Sequence, residues 1–199
     1  MCGIVGYIGP KNSVPILIRG LEKLEYRGYD SAGVALVSHG KFDVVRAEGK
    51  LSRLKGVLDQ QGKLADNGLS NGLVTVGIGH TRWATHGRPS ETNAHPHIAG
   101  EICVVHNGII ENYAELRKEL IAKGCKFTSE TDTEIAAHLI NVLLPGASSL
   151  VEAVRQASDR LIGSYALIVM STREPETLIV AKNATPVIVG LADGECFVA

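Results

Sequence analysis

Three helix starts follow one another closely in the second half of the sequence, and they constrain the fold more than any other feature. Each is a capping box, in which a Ser, Thr or Asn precedes a Glu by three residues and the pair satisfies backbone N–H groups at the helix start. The pairs are Asn112 with Glu115, Thr131 with Glu134, and Ser149 with Glu152. Because strand-type patterns precede and follow these helices, the order of elements predicts an α+β fold in which helices cover the faces of sheets.

The other elements are predicted from hydrophobic periodicity and turn residues. Ser13 is expected to cap a first helix whose apolar residues recur at helical spacing up to Gly28, and a second short helix is expected at 51–58. The strands expected before the three helices are 2–8, 32–38, 42–46, 73–80 and 102–106, with 32–38 and 42–46 forming a hairpin. Four more strands, 165–170, 177–181, 186–190 and 195–198, are expected to form one antiparallel run.

A single domain over residues 1–199 is expected, since no repeat or linker divides the sequence and the loop-like segment 62–72 joins two halves of one unit. The chain stops inside a strand-like segment without a polar tail. We therefore expect a fragment of a longer polypeptide.

Charge and hydropathy exclude several classes of partner. The 20 Lys and Arg residues balance 21 Asp and Glu residues, and there is no basic run, so neither nucleic acid nor an anionic membrane surface is expected to bind. The longest apolar stretches are far shorter than a membrane-spanning helix, and the N-terminus lacks the features of a signal peptide. A cytoplasmic protein is therefore expected. The four cysteines are widely spaced and form no Cys-x-x-Cys pair, so all four are expected to be reduced.

Cys2 directly follows the initiator Met, and this position predicts a nucleophile. Removal of Met1 would leave a residue with both a thiol and a free α-amine, whose pKa values near 8.5 and 7.7–8.0 allow the amine to take the thiol proton. The alternative is that Cys2 is a small buried apolar residue at the start of a strand.

The segment 82–97 is rich in Gly, Pro, Thr, Asn and His without apolar periodicity, which predicts a long ordered loop that binds a polar group. Arg82 offers a planar fork for a carboxylate, and Thr85 and His86 add hydrogen-bond donors. A structural Arg82 paired with a neighbouring acid is the alternative.

Two further motifs have a chemical and a structural interpretation. Asn107 and Gly108 follow a strand and can form a two-donor oxyanion hole, although Asn-Gly is also a common turn dipeptide. Asp132 begins a helix, where it either binds substrate or stabilises the helix dipole.

No cofactor or metal is expected. His95, His97 and Cys103 are the best candidate metal ligands, but they lack the ligand spacing of known sites. The glycines of Gly3-Ile-Val-Gly6-Tyr-Ile-Gly9 lie within a strand and do not match a dinucleotide-binding loop.

Five motifs in this order resemble the glutaminase domains of the glucosamine-6-phosphate synthase family, which are class II glutamine amidotransferases of the N-terminal-nucleophile hydrolase superfamily. The motifs are Met1-Cys-Gly-Ile-Val-Gly6, Tyr26-Arg-Gly-Tyr-Asp-Ser-Ala-Gly33, His80-Thr-Arg-Trp-Ala-Thr-His-Gly87, His106-Asn-Gly-Ile-Ile-Glu-Asn112 and Thr131-Asp-Thr-Glu134. The related amidotransferases that make phosphoribosylamine or asparagine are expected to differ in the second and third of these motifs. The resemblance implies a four-layer αββα sandwich of two antiparallel sheets.

The resemblance also implies a role for each candidate residue. Cys2 is implied as nucleophile with its α-amine as base, and Asn107 and the Gly108 N–H as the oxyanion hole. Arg82, helped by Thr85 and His86, is implied to bind the α-carboxylate of L-glutamine, Asp132 the α-ammonium group, and Trp83 to belong to a loop that closes over the substrate.

The implied reaction is hydrolysis of glutamine to glutamate and ammonia through a thioester. The partners implied are C-terminal isomerase domains, absent from this sequence, which convert fructose 6-phosphate to glucosamine 6-phosphate in a full-length homo-oligomer.

Two alternative functions come from other classes of protein. A binding module that senses glutamine with Cys2 blocked by Met1 stays open, whereas a thiol hydrolase using Cys103 and His106 is rejected because residues three apart on a strand face opposite sides.

Overall fold

The computed structural model describes residues 2–38, 40–64, 75–84 and 87–199. Its strands are β1 (Gly3–Ile8), β2 (Ser31–Ser38), β3 (Lys41–Glu48), β4 (Val76–Arg82), β5 (His97–Ala99), β6 (Ile102–Ile110), β7 (Gly163–Ser171), β8 (Leu178–Asn183), β9 (Val189–Ala192) and β10 (Glu195–Val198). Its α-helices are α1 (Ser13–Leu24), α2 (Leu51–Gln60), α3 (Tyr113–Ala122), α4 (Thr133–Leu143) and α5 (Leu150–Ser158). Short 3₁₀ turns follow α1 and α4, at Glu25–Arg27 and Leu144–Gly146.

The strands form two sheets. The first has the order β3-β2-β4-β1-β10-β9 and the second the order β5-β6-β7-β8. Every pairing between these described strands is antiparallel. The predicted hairpin is confirmed, because β2 and β3 pair in register from Ser31 opposite Glu48 to Ser38 opposite Lys41.

Three apolar layers hold the sheets and helices together. The middle layer lies between the two sheets and contains Ile4, Ile78, Cys103, Ile168 and Met170. One outer layer packs α1 and α2 on the first sheet, and the other packs α3, α4 and α5 on the second. Burial of each large apolar side chain contributes about 1.5–3 kcal/mol. The arrangement is helix, sheet, sheet, helix, so the predicted α+β sandwich is confirmed.

The last strands are not one run, as the sequence pattern predicted. β7 and β8 belong to the second sheet, whereas β10 crosses to the first sheet and pairs with both β1 and β9. Tertiary packing accounts for the crossing, because the Phe197 ring lies 5.2 Å from the Tyr7 ring and Val198 is buried between the sheets.

Three predicted helix caps are wrong. Asn112 precedes α3, but its side chain makes no capping hydrogen bond and instead donates to the Arg160 carbonyl oxygen and accepts the Ile162 N–H. The side chain of Asn12, not Ser13, accepts the Val14 N–H and caps α1. α4 begins at Thr133 rather than at a box from Thr131, because the Glu134 carboxylate instead accepts hydrogen bonds from the preceding loop. The prediction for α5 is confirmed, since the Ser149 side chain accepts the Glu152 N–H.

All four cysteines are free thiols in this structure. None of the described helices has the length and apolar character needed to cross a membrane. Most of the predicted loop 62–72 lies outside the described residues.

Candidate active site

A small cavity lies where residues from both sheets meet the start of α4. Five of the predicted site residues line it: Cys2, Arg82, Trp83, Gly108 and Asp132. Its free volume is about 20 Å³, which is room for one or two water molecules. A larger cavity of about 540 Å³ shares Cys2, Trp83 and Gly108 and is mainly apolar, with Ile4 and Ile109 among its lining residues.

Cys2 immediately precedes β1, in the interior of the first sheet. Its Sγ atom accepts a hydrogen bond from the Trp83 backbone N–H at 3.3 Å. Burial raises the pKa of the Cys2 thiol above its usual value, although the Trp83 N–H opposes this shift by stabilising the thiolate. The thiol is therefore protonated at neutral pH, so nucleophilic attack needs a nearby base.

Asn107 and Gly108 lie within β6 of the second sheet and face the Cys2 segment. The Asn107 Nδ2 atom donates a hydrogen bond to the Cys2 carbonyl oxygen at 3.3 Å. The prediction that the strand ends at this dipeptide is wrong, because β6 continues to Ile110. Gly108 has a φ of +121°, and a Cβ atom there would lie 2.0 Å from the Ser164 carbonyl oxygen, so only glycine fits.

Arg82 is the last residue of β4, and its side chain is only 3% exposed. The guanidinium donates to the Gly87 carbonyl oxygen at 3.0 Å and to the Arg88 carbonyl oxygen at 3.5 Å. These carbonyls orient the planar fork, and Arg82 lines the small cavity beside Cys2 and Asp132. The arrangement suits the binding of an anion in the adjoining cavity.

Asp132 precedes α4, and its buried carboxylate accepts the Ile110 backbone N–H at 2.9 Å. Its other oxygen lies 3.8 Å from the His106 Nδ1 atom. The side chain makes no capping hydrogen bond to its own helix. Asp132 therefore does not cap α4 through a hydrogen bond, while its place at the helix start and on the cavity wall is compatible with both predicted roles.

Trp83 follows Arg82, and its side chain is 47% exposed. The indole packs edge-on against Tyr29 with ring centroids 5.2 Å apart. The residue after Trp83 is also fixed, because the Asp30 carboxylate accepts the Ala84 backbone N–H. The predicted site residues Thr85 and His86 lie outside the described residues.

Four buried histidines lie beside the cavity, a feature that the sequence did not reveal. His80, His95 and His106 are stacked, with ring centroids of His80 and His95 4.0 Å apart, and His97 packs edge-on against His95. The Thr133 hydroxyl lies within hydrogen-bond distance of the His95 and His106 rings, at 3.1 and 2.9 Å. The Thr133 hydroxyl thus joins two of the rings that line the cavity, and one of them, His106, also lies beside the Asp132 carboxylate.

The three candidate metal ligands do not form one cluster, because His95 and His97 contact each other but Cys103 does not join them. His97 shares a hydrogen bond with Thr131, whereas Cys103 lies in the layer between the sheets. Cys103 and His106 face opposite sides of β6, as predicted, because His106 contacts α4. Within the described part of the chain, no three His, Cys, Asp or Glu side chains are grouped to hold a metal ion.

The histidine cluster predicts a loss of stability in mild acid. Burial, reinforced by the neighbouring cationic groups, lowers the pKa values of His80 and His97 to about 3, and that of His95 well below its usual range. Unfolded histidines bind protons below pH 6.5 while the folded ones stay neutral, so stability is full above pH 6.5 and is lost as pH falls towards 3.

Each of these three histidines is expected to remove about 1 kcal/mol of unfolding free energy between pH 6.5 and 5.5. Urea denaturation at pH 7.0, 6.5, 6.0 and 5.5 measures how the free energy of unfolding changes with pH. His97→Gln is the matched variant, and it should take up about one proton fewer on unfolding. A free energy of unfolding that stays constant over this range contradicts the expectation.

Several residues at the site were missed by sequence reasoning. Thr131 and Thr133 line the cavity, although the sequence analysis interpreted the first only as a helix cap. Asp30 and His80 lie within two of the five motifs that carry the family resemblance, but no role was predicted for either residue. The sequence signal that could have pointed to such residues is the high frequency of His and Thr in segments without apolar periodicity.

Comparison with protein-family models matches residues 80–199 to a family described as glutamine amidotransferase domain. Among curated relatives, glutamine–fructose-6-phosphate aminotransferase [isomerizing] from Symbiobacterium thermophilum is 54% identical, and its counterpart from Caldanaerobacter subterraneus subsp. tengcongensis is 50% identical. Both alignments cover 100% of this chain and 31% of the relative. The chain therefore spans about a third of the length of these relatives.

Among solved structures, glutamine phosphoribosylpyrophosphate amidotransferase from B. subtilis, complexed with ADP and GMP, matches with a TM-score of 0.78 and 26% identity. The match covers 100% of this chain and 41% of that one. A glutamine aminotransferase class-II domain protein from Silicibacter pomeroyi matches over 100% of this chain and 87% of its own, with a TM-score of 0.63. At 15% identity, the second match supports the fold alone.

Proposed function

The chain belongs to the family of glutamine amidotransferase domains, and from this membership we propose that it hydrolyses the side-chain amide of L-glutamine to give glutamate and ammonia. Cys2 is the proposed nucleophile. Asn107 and Gly108 supply the oxyanion hole, and Arg82 and Asp132 bind the charged end of the substrate.

One observation carries the proposal. Three chemically distinct groups from separate parts of the chain surround Cys2: its carbonyl accepts a hydrogen bond from the Asn107 amide, and Arg82 and Asp132 line the same cavity. An amino acid with a side-chain amide needs this set: a nucleophile, an oxyanion donor, a cation for the carboxylate and an anion for the ammonium.

The two charged groups are proposed to select an α-amino acid. Arg82 pairs with the α-carboxylate through its fork, and Asp132 pairs with the α-ammonium group. Thr85 and His86 are proposed to add hydrogen bonds to the same end of the substrate. The small cavity adjoins the larger one at Cys2, Trp83 and Gly108, and the loop that carries Trp83 is proposed to close over the bound substrate.

Proton transfer is assigned to the Cys2 α-amine, which becomes available when Met1 is removed. The amine takes the thiol proton, and the thiolate attacks the amide carbon to form a tetrahedral oxyanion. The amine then donates the proton to the departing ammonia, leaving a thioester at Cys2. Water attacks the thioester, the amine again accepts and returns a proton, and glutamate is released with the thiol restored.

Asn107→Ala is expected to lower kcat by about 10²- to 10³-fold with little change in KM, because an oxyanion donor acts chiefly on the transition state. Steady-state hydrolysis of L-glutamine measures both constants. Asn183→Ala is the matched control, since the Asn183 side chain donates to the exposed Gly163 carbonyl and does not contact Cys2. A raised KM with normal kcat would instead make Asn107 a ground-state binding residue.

The domain is proposed to be the glutaminase part of a longer protein that makes glucosamine 6-phosphate from fructose 6-phosphate. C-terminal isomerase domains are the proposed acceptors of the ammonia, and the full-length protein is proposed to be a cytoplasmic homo-oligomer. The names of the 50–54% identical relatives support this assignment. The larger cavity supports it too, because its apolar wall adjoins Cys2, where ammonia would be released.

The test is a product assay on chains that begin at Cys2. Incubation with L-glutamine is expected to give glutamate and ammonia in a ratio of one to one, whereas L-asparagine, one methylene shorter, reacts slowly. Absence of glutamate formation from such a preparation overturns the proposal. Binding of glutamine without hydrolysis would favour a glutamine-sensing module instead.

A further inference from the structure

Asn93 lies in the loop between β4 and β5, and its side chain is 3% exposed. Its carboxamide uses both N–H donors and its oxygen acceptor. The Nδ2 atom donates to the Arg88 carbonyl oxygen at 3.0 Å and to the Glu130 carboxylate at 3.0 Å, while the Oδ1 atom accepts the Glu130 backbone N–H at 2.9 Å. A carboxylate or hydroxyl cannot reproduce this set of bonds.

The first of these bonds reaches Arg82 through a shared carbonyl. The Arg88 carbonyl oxygen accepts from both Asn93 and the Arg82 guanidinium, and the Gly87 carbonyl oxygen accepts the second Arg82 nitrogen. Asn93 therefore restrains one of the two carbonyls that set the direction of the Arg82 fork. Its effect on Arg82 passes through the backbone, since none of the Asn93 bonds described above is made to Arg82 itself.

The other bonds join Asn93 to the segment that carries Asp132. Glu130 precedes Asp132 by two residues, and both its carboxylate and its backbone N–H bind the Asn93 amide. The α-carboxylate and α-ammonium groups of an amino acid are attached to one carbon atom. A cationic and an anionic group that recognise them must therefore keep a fixed separation.

Gly87 allows the loop to lie directly against this amide. A Cβ atom at Gly87 would lie 2.8 Å from Asn93 Nδ2 and 3.0 Å from Glu130 Cβ, and the residue has a φ of +76°. Glycine therefore brings the backbone beside Asn93 close enough for its carbonyl groups to be fixed.

We infer that Asn93 is a positioning residue that holds the Arg82 guanidinium at the distance from Asp132 that the α-carboxylate of glutamine requires. The inference rests on the proposed function, because it assigns the carboxylate to Arg82. It adds a residue that touches neither the substrate nor the reacting atoms. Its effect is therefore confined to recognition of the substrate carboxylate.

Asn93→Asp tests the inference, because it keeps the shape of the side chain and removes both donors. KM for L-glutamine is expected to rise about 10-fold, the scale of a lost hydrogen-bond restraint on a charged group, while kcat changes less than 3-fold. The α-methyl ester of glutamine lacks the carboxylate, so its kcat/KM is expected to stay within 3-fold of the unsubstituted protein. An equal loss with both substrates indicates general damage and overturns the inference.

A second variant distinguishes two causes of a raised KM: loss of the hydrogen bond to the Arg88 carbonyl, and repulsion between the carboxylates at positions 93 and 130. In Asn93→Asp combined with Glu130→Gln, the new amide can donate to Asp at position 93, but the Arg88 carbonyl still lacks its donor. The raised KM is expected to persist. Its return to the unsubstituted value would overturn the inference.

Asn141→Asp is the matched control. The Asn141 side chain, in α4, also holds a turn, because it accepts the N–H of Glu101 just before the start of β6, away from Asn107 near the other end of that strand. Its KM is expected to stay unchanged. If Asn93→Asp does not fold, Asn93→Ala removes the donors without placing two carboxylates together, and the same separation of KM from kcat is expected.

The unsubstituted chain is assayed first, so failure of the proposed function is distinguishable. No hydrolysis by that chain, prepared so that it begins at Cys2, overturns the proposed function, whereas normal hydrolysis with an unchanged KM in both Asn93 variants overturns only the role of Asn93.

Discussion

Cys2→Ala is expected to abolish glutamine hydrolysis, with kcat reduced by about 10⁶-fold, the scale seen when a covalent nucleophile is lost. The physical reason is that Cys2 is the thiol that lines the small cavity with Arg82 and Asp132 and touches the Asn107 amide. No neighbouring side chain can form the thioester in its place. Ammonia release under saturating L-glutamine measures the effect.

The remaining cysteines provide matched controls. Cys103 is fully buried, and burial raises its pKa to about 12, so it is unreactive at neutral pH. Cys125→Ala and Cys196→Ala alter partly exposed positions and are expected to retain the activity. A diazoketone analogue of glutamine should label Cys2 alone, and labelling of another cysteine would contradict the assignment.

Retention of Met1 is expected to reduce hydrolysis by at least about 10²-fold, the lower limit for loss of a general base. With Met1 present, the Cys2 nitrogen is a peptide amide and accepts no proton near neutral pH. Burial already raises the pKa of the thiol, so loss of the amine leaves mainly the unreactive thiol form. Activity should therefore follow the fraction of chains that begin at Cys2.

Mass spectrometry of the N-terminus, paired with the hydrolysis assay, measures this relation. A chain with an N-terminal tag should fold but stay inactive, and removal of the tag to expose Cys2 should restore hydrolysis in the same sample. Full activity in chains that keep Met1 would falsify the amine mechanism and return the base to a side chain, with His86 the first to replace.

Local patterns predicted the elements well where neighbours in sequence determine them. The hairpin of β2 and β3 and the three helices after β6 follow from alternation, turn residues and helix starts. The candidate cysteine was also evident, because its chemical meaning depends only on its place next to Met1. Such features require no knowledge of distant contacts.

Features that depend on distant contacts were not predictable in the same way. An alternating pattern marks β10 as a strand, but its place beside β1 depends on the packing of Phe197 and Val198. The Glu134 carboxylate satisfies Thr128 and Ser129 instead of the expected helix start. Periodicity reports which face is apolar, and it does not report which polar groups find partners.

The burial of polar residues near the site illustrates the same limit. His80 and Asn93 are buried because particular backbone and side-chain partners replace water. These partners lie as many as 37 positions away along the chain. Asn is mostly exposed and His is only intermediate in burial, so the contacts had to be seen in three dimensions.

The two sheets divide the proposed reaction centre between them. Cys2 belongs to the first sheet and Asn107 to the second, and the apolar side chains in the middle layer act as spacers that set the distance between nucleophile and oxyanion donor. A protein interior is packed as densely as a molecular crystal, so a change of one methyl group at Ile4 or Ile168 shifts this separation. Since an error of 1 Å can cost about 10²-fold in rate, evolution of this interior is constrained by catalytic geometry as well as by stability.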